Sequence, residues 1–200
     1  MPVEDLSASE LERLVAKQLG RRPGIGFEVI VACKYGWPVV LKNLPVDDCG
    51  NPNPNLYYLS CPWLRRRLAR LEDSGMIGKL QRLLSSEEKL RMDLLRAQET
   101  HSEEYRLARQ ALLSGKVGRR VIPGTEKGKA EALIGGARKP ELLKCLHAHL
   151  AFYLVHPDYL LGMRIKSAVG ALECPDERCS DWVFKIRNET RHAMEEQGPI

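Results

Sequence analysis

The sequence predicts an α+β protein, with a small N-terminal antiparallel sheet packed by several helices and a helix-rich C-terminal half. Three runs rich in β-branched and aromatic residues, over 27–33, 37–42 and 56–59, are separated by turn-forming residues. After the third run, apolar residues recur every three or four positions, which is typical of amphipathic helices. At 200 residues the chain fits one domain, with a sheet part over about 1–60 and a helical part over about 61–200.

The first helix is marked at both ends. Ser7 or Ser9 is predicted to cap it, because Ser7 and Glu10 have the spacing of a capping box. The apolar stripe extends to about Leu19, and Gly20 then favours a stop. A β-hairpin follows, and its first strand brings Cys33 to the edge of the turn at 34–36.

The helical part begins where Ser60 is predicted to cap a helix that has Pro62 in its first turn. The longest helix is predicted from about residue 85 to near Gly115. A basic, glycine-containing loop, expected to be flexible, follows over about 114–136. The remaining helices are predicted over about 140–155, over about 159–171, and from a Ser180–Asp181 cap to about residue 195.

The composition bounds the function only broadly. The net charge of +5 is mild, so binding to nucleic acid is not favoured. If the protein did bind nucleic acid, the basic loop would supply the contacts. The chain has no apolar run long enough for a signal peptide or a membrane span, which predicts a cytoplasmic protein with no membrane partner. P-loop, G-x-S-x-G, H-E-x-x-H and Rossmann patterns are absent, so no reaction class and no oligomeric state is indicated.

The six cysteines are the most informative residues, because cytoplasmic thiols stay reduced and are available as metal ligands or nucleophiles. Cys33 lies at a strand end and Cys61 at a helix start, where the helix dipole favours a thiolate. Cys145 is predicted inside a helix, with His149 one turn further on the same face and His147 directed away.

The other cysteines and histidines give weaker signals. Cys174 and Cys179 have a C-x4-C spacing, which metal loops use but which also arises by chance. Cys49 lies in a loop without a nearby thiol, and we interpret it as incidental. His101 lies on the apolar stripe of the longest helix, which favours a hydrogen-bonded core histidine.

Three sequence blocks resemble a known family. They cover residues 33–40, 56–62 and 144–147, and together with Gln18–Arg21 and the glycines at 135 and 136 they are similar to the bacterial domain of unknown function 501 (DUF501). The resemblance spans about residues 12–162. It implies that the position of Cys61 accepts cysteine or histidine, a replacement that a metal ligand tolerates, and that Cys49 is not part of the family pattern.

These observations lead to three hypotheses. The first is a metal site, holding zinc or an iron–sulfur cluster, with ligands Cys33, Cys61 and Cys145 and a fourth ligand from Cys179, Cys174 or His149. The second is a thiol enzyme in which Cys61 is the nucleophile and His147 or His149 the base. The third is a binding or scaffold module that uses the longest helix or the basic loop.

Overall fold

The computed structural model describes residues 3–47, 51–114 and 132–195. Within these residues, a three-stranded antiparallel sheet near the N-terminus is packed by seven helices, which confirms the predicted α+β class. The strands are β1 (Phe27–Ala32), β2 (Pro38–Asn43) and β3 (Tyr57–Leu59), in the order β1-β2-β3. The helices are α1 (Ala8–Leu19), α2 (Pro62–Asp73), α3 (Met76–Ser86), α4 (Glu88–Leu113), α5 (Leu146–Val155), α6 (Leu160–Val169) and α7 (Arg178–Glu195).

The N-terminal helix follows its sequence signals. Ser7 is the N-cap of α1, and its hydroxyl accepts from the Glu10 amide while the Glu10 carboxylate accepts from the Ser7 amide. Gly20 ends the helix at φ 73°, in the left-handed conformation that glycine adopts without strain. The predicted boundaries of α1 and its capping box are therefore confirmed.

Removing this cap is expected to weaken the fold measurably. Ser7→Ala leaves the Glu10 amide without its acceptor, and we expect a loss of about 1 kcal/mol in the free energy of unfolding, measured by urea denaturation. Ser9→Ala, at an exposed position inside the same helix, is the matched control and is expected to be neutral or slightly stabilising. Equal stabilities of the two variants would contradict a capping role for Ser7.

The core lies between the sheet and the helices. Helix α5 packs on β3, α6 packs on α5 and α4, and α1 packs on α7. Leu64 and Leu68 of α2, together with Leu146 and Leu150 of α5, are buried in the main apolar cluster. A smaller cluster around Leu14, Trp37 and Ile186 joins α1 and α7 to the hairpin. The C-terminal helix is thus held against N-terminal elements.

Three predicted helix starts differ from the structure. The N-cap of α2 is Cys61, and not Ser60, whose hydroxyl is buried against the Val39 carbonyl. Helix α5 begins at Leu146, not near residue 140, because Cys145 has extended backbone angles of φ −153° and ψ 121°. Helix α7 begins at Arg178, before the predicted Ser180–Asp181 cap. Residues 115–131, most of the predicted basic loop, lie outside the described residues.

Candidate metal-binding sites

The hairpin fixes the position of Cys33. Its amide donates to the Trp37 carbonyl at 2.9 Å, and its carbonyl accepts from the Gly36 amide at 2.8 Å. Gly36 has φ 83°, so the turn requires a residue that adopts the left-handed region without strain. Cys33 is therefore held at the end of β1 by backbone hydrogen bonds on both of its polar groups.

Cys61 joins β3 to helix α2. The strand ends at Leu59, and Cys61 is followed at once by Pro62, the first residue of the helix. Its carbonyl accepts the first intrahelical hydrogen bond, from the Arg65 amide at 3.0 Å. The side chain is 9% exposed, so the thiol lies at the N-terminal end of α2 almost out of contact with water.

The segment before and within α7 lies against this hairpin. The Tyr35 hydroxyl donates to the Cys174 carbonyl at 3.3 Å, and the Trp37 indole donates to the Ser180 hydroxyl at 2.9 Å. The Trp63 indole, in the first turn of α2, donates to the Ala171 carbonyl at 3.3 Å. These contacts bring Cys174 and Cys179 to the part of the molecule that holds Cys33 and Cys61.

Four thiols meet in one pocket as a result. Cys33, Cys61, Cys174 and Cys179 all line a pocket with only about 10 Å³ of free space, whose walls are otherwise mainly apolar. Gln18 of α1 lies at its wall, and its amide nitrogen donates to the Cys179 sulfur at 3.4 Å and to the Pro38 carbonyl at 3.0 Å. This set of residues is called the four-thiol pocket below.

Burial raises the pKa of two of these thiols. It raises the pKa of Cys61, although the amides of Leu64 and Trp63 act in the opposite direction. Burial, with a smaller contribution from the neighbouring thiols, raises the pKa of Cys179 to about 12, against the effect of the Gln18 hydrogen bond. Cys61 therefore lacks the lowered pKa that activates a nucleophilic cysteine, which weighs against the thiol-enzyme hypothesis at this residue.

Cys145 belongs to a second group of side chains. Atoms of Glu72, Cys145 and His147 that can bind a metal all lie within 4.8 Å of one another. Glu72 is in the last turn of α2, Cys145 is the N-cap of α5, and His147 is in the first turn of α5. All three side chains are partly buried. They are called the Glu–Cys–His site below.

Hydrogen bonds orient the Glu–Cys–His site. The Nδ1 atom of His147 lies 3.1 Å from Oε1 of Glu72, and its Nε2 atom lies 3.0 Å from the Arg65 carbonyl. The same Glu72 oxygen accepts from the Leu146 amide at 2.7 Å. Burial lowers the pKa of His147, but Cys145, Glu72 and the Arg65 carbonyl raise it more, to about 9.

The partner of Cys145 is thus His147, whereas the sequence pattern indicated His149. That pattern assumed helical geometry at Cys145, which has extended backbone angles. Its carbonyl still accepts from the His149 amide at 3.4 Å, but the two side chains have different partners. His149 is fully buried, and its Nδ1 atom is hydrogen-bonded to the Tyr159 hydroxyl at 2.6 Å. His101 is buried against the Ala132 carbonyl, as expected of a core histidine, and Cys49 lies outside the described residues.

A larger pocket opens beside the Glu–Cys–His site. It measures about 380 Å³ and is lined by Cys145 and His147, by Arg65 and Lys144, and by the β3 tyrosines Tyr57 and Tyr58. Gly135 packs closely here, since a Cβ at this position would lie 3.4 Å from the Cys145 Cβ.

Sequence reasoning missed Glu72, because no local spacing connects it with residues 145–147.

Fold and sites together define an α+β protein in which two groups of side chains of metal-binding types come together. The chain belongs to the family described as protein of unknown function (DUF501), which matches residues 29–173 and confirms the resemblance seen in the sequence. No curated protein and no solved structure matches the chain. Among the described helices, none is long and apolar enough to cross a membrane.

The family match covers all of one site but only part of the other. Glu72, Cys145 and His147 all lie within it, so the whole Glu–Cys–His site belongs to the matched segment. Cys33 and Cys61 also lie within it, whereas Cys174 and Cys179 follow its end at residue 173. Two of the four thiols are therefore supplied by the part of this chain that follows the family match.

Proposed function

We propose that the protein holds a metal centre, an iron–sulfur cluster in the first instance, on the thiolates of Cys33, Cys61, Cys174 and Cys179. The observation that carries this proposal is the meeting of four thiols from separate segments in one largely apolar pocket. Four cysteine thiolates are the usual ligands of [2Fe–2S] and [4Fe–4S] clusters and of many structural zinc ions. Cys145 and His149, the other residues of the sequence-based ligand set, lie outside this pocket.

The sulfur atoms lie further apart than those around a single zinc ion. Tetrahedral zinc with Zn–S bonds of about 2.3 Å brings its sulfurs to about 3.8 Å from one another. All four thiols are among the described residues, and no three of their sulfur atoms lie within 4.8 Å of one another. Zinc would require the thiols to approach one another, whereas a cluster of several irons separates its terminal thiolates further and would require this nearly filled pocket to widen.

The surroundings supply the contacts that such a centre uses. The Gln18 amide already donates to the Cys179 sulfur, and hydrogen bonds to ligand sulfurs tune and orient metal–thiolate centres. The apolar wall formed by Trp37, Trp63 and Leu172 limits the access of water to the thiols. A centre of this kind fits the cytoplasm, where thiols remain reduced until metal is loaded, and we place the protein there.

Anaerobic purification tests the proposal. The protein is expected to be brown, with iron and acid-labile sulfide in a fixed ratio per chain. Each of Cys33→Ser, Cys61→Ser, Cys174→Ser and Cys179→Ser is expected to lose most of both, whereas Cys145→Ser, the matched control, is expected to keep them. Far-ultraviolet circular dichroism distinguishes loss of metal from loss of fold.

A histidine variant sharpens this test at one corner of the pocket. Cys61→His replaces a thiolate with an imidazole, which also binds zinc and iron, and is expected to retain metal that Cys61→Ser loses. If the protein were colourless and held one zinc ion that the same four serine variants lose, the centre would be zinc and not an iron–sulfur cluster. Metal content unaffected by all four substitutions, or no metal at all, would overturn the proposal.

A further inference from the structure

We propose that Glu72, Cys145 and His147 form a second metal site, for a single divalent transition ion such as zinc, separate from the four-thiol pocket. Carboxylate, thiolate and imidazole are all zinc ligands, and a mixed set of one each suits an ion of intermediate softness. The three ligands come from the last turn of α2 and the first turn of α5, so two packed helices position them.

The distances match a single ion. Two ligand atoms at about 2.0–2.1 Å from a tetrahedral zinc lie about 3.3 Å from each other. Glu72 Oε1 and His147 Nδ1 are 3.1 Å apart, and the Cys145 sulfur lies within 4.8 Å of one ligand atom of each of these two residues. A shift of a few tenths of an ångström at the first pair therefore suffices for a metal to bind between them.

The hydrogen bonds around the three ligands are those of a metal site. A metal-binding histidine donates its other ring N–H to a carbonyl or a carboxylate, which fixes the ring and its tautomer. His147 Nε2 lies 3.0 Å from the Arg65 carbonyl and so serves as that donor, which leaves Nδ1 for the ion. The Leu146 amide holds the Glu72 carboxylate in the same way, at 2.7 Å.

Three protein ligands leave one coordination position of a tetrahedral ion for water or a small ligand, as in catalytic zinc sites. Cys145 and His147 line the pocket of about 380 Å³ described above, so solvent reaches the ion from that side. The second site thus differs in kind from the four-thiol pocket, where protein thiolates fill every position.

Cobalt and zinc titrations test the inference on the full-length protein with its first centre loaded. We expect one further Zn²⁺ per chain, and with Co²⁺ a thiolate-to-metal absorption band. Cys145→Ser is expected to abolish that band, and Glu72→Gln and His147→Gln to weaken Zn²⁺ binding at least 100-fold. Iron and sulfide measured in the same samples are expected to be unchanged, which separates this site from the first centre.

His156→Gln is the matched control, because His156 is also a half-buried histidine next to a glutamate, 3.2 Å from Glu104, but has no thiol in its group. It is expected to bind Zn²⁺ as the unchanged protein does. Should a variant of the site fail to fold, Zn²⁺ protection of Cys145 from alkylation in the unchanged protein gives the same answer. The inference would be overturned if the Cys145 and His147 variants bound Zn²⁺ as tightly as the unchanged protein, or if Zn²⁺ did not protect Cys145 from alkylation.

Discussion

Gly162→Ala is expected to lower the free energy of unfolding by about 3 kcal/mol. Gly162 is buried in α6 where that helix packs on α5. A Cβ at this position would lie 2.3 Å from the Tyr153 Cβ and 2.7 Å from the Tyr159 Cδ1, closer than side-chain atoms approach. Alanine normally stabilises a helix by about 1 kcal/mol relative to glycine, so the clash has to outweigh that gain.

Thermal denaturation measures this effect, which should lower Tm by about 6–12 °C for a chain of this size. Gly78→Ala in α3 is the matched control, since a Cβ there would meet only the Arg82 guanidinium, at 3.7 Å. It is expected to raise the stability by about 0.5–1 kcal/mol. If both alanine variants were stabilised alike, the close contact between α5 and α6 would be refuted.

Acid is expected to destabilise the protein through His149. Burial, and then the nearby His101, lower the pKa of His149 from 6.5 to about 3. The Nδ1 atom of His149 also lies 2.6 Å from the Tyr159 hydroxyl. The unfolded chain therefore binds one more proton than the folded chain between these two pKa values, and stability falls by about 1.4 kcal/mol per pH unit below pH 6.5.

His149→Gln isolates this contribution, because the glutamine amide can still accept from Tyr159 and does not titrate. Urea denaturation between pH 7.5 and pH 4.5 is expected to show a slope smaller by about 1.4 kcal/mol per pH unit below pH 6.5 in the variant. Above pH 7 the two proteins should depend on pH alike, which provides an internal control. An unchanged acid slope would show that His149 titrates normally in the folded state.

Local elements could be predicted from the sequence because their signals are local. The capping box of Ser7 and Glu10, the stop at Gly20 and the alternating strands each lie within a few residues of the structure they determine. The start of α5 was wrong because Pro140 suits a first helical turn, and no nearby residue marks the extended conformation of Cys145.

The sites depended on contacts between distant segments. The sequence marks Cys174 and Cys179 only by a weak spacing, and docking of their segment on the Tyr35–Trp37 turn brings them to Cys33. Glu72 carried no signal at all, since its partners in the site lie more than 70 positions later in the chain. Cysteine content indicated metal chemistry, whereas the grouping of the ligands required the tertiary fold.

Helix α2 determines how the two sites are related in space. Cys61 at its N-cap belongs to the four-thiol pocket, and Glu72 in its last turn belongs to the Glu–Cys–His site. From position 61 to position 72 the helix advances by about 16 Å, at 1.5 Å per residue. Metals that act together on one substrate atom lie about 3.5–4 Å apart, so ions at these sites would not form a binuclear centre. Each would bind its own ligands and be loaded in a separate step.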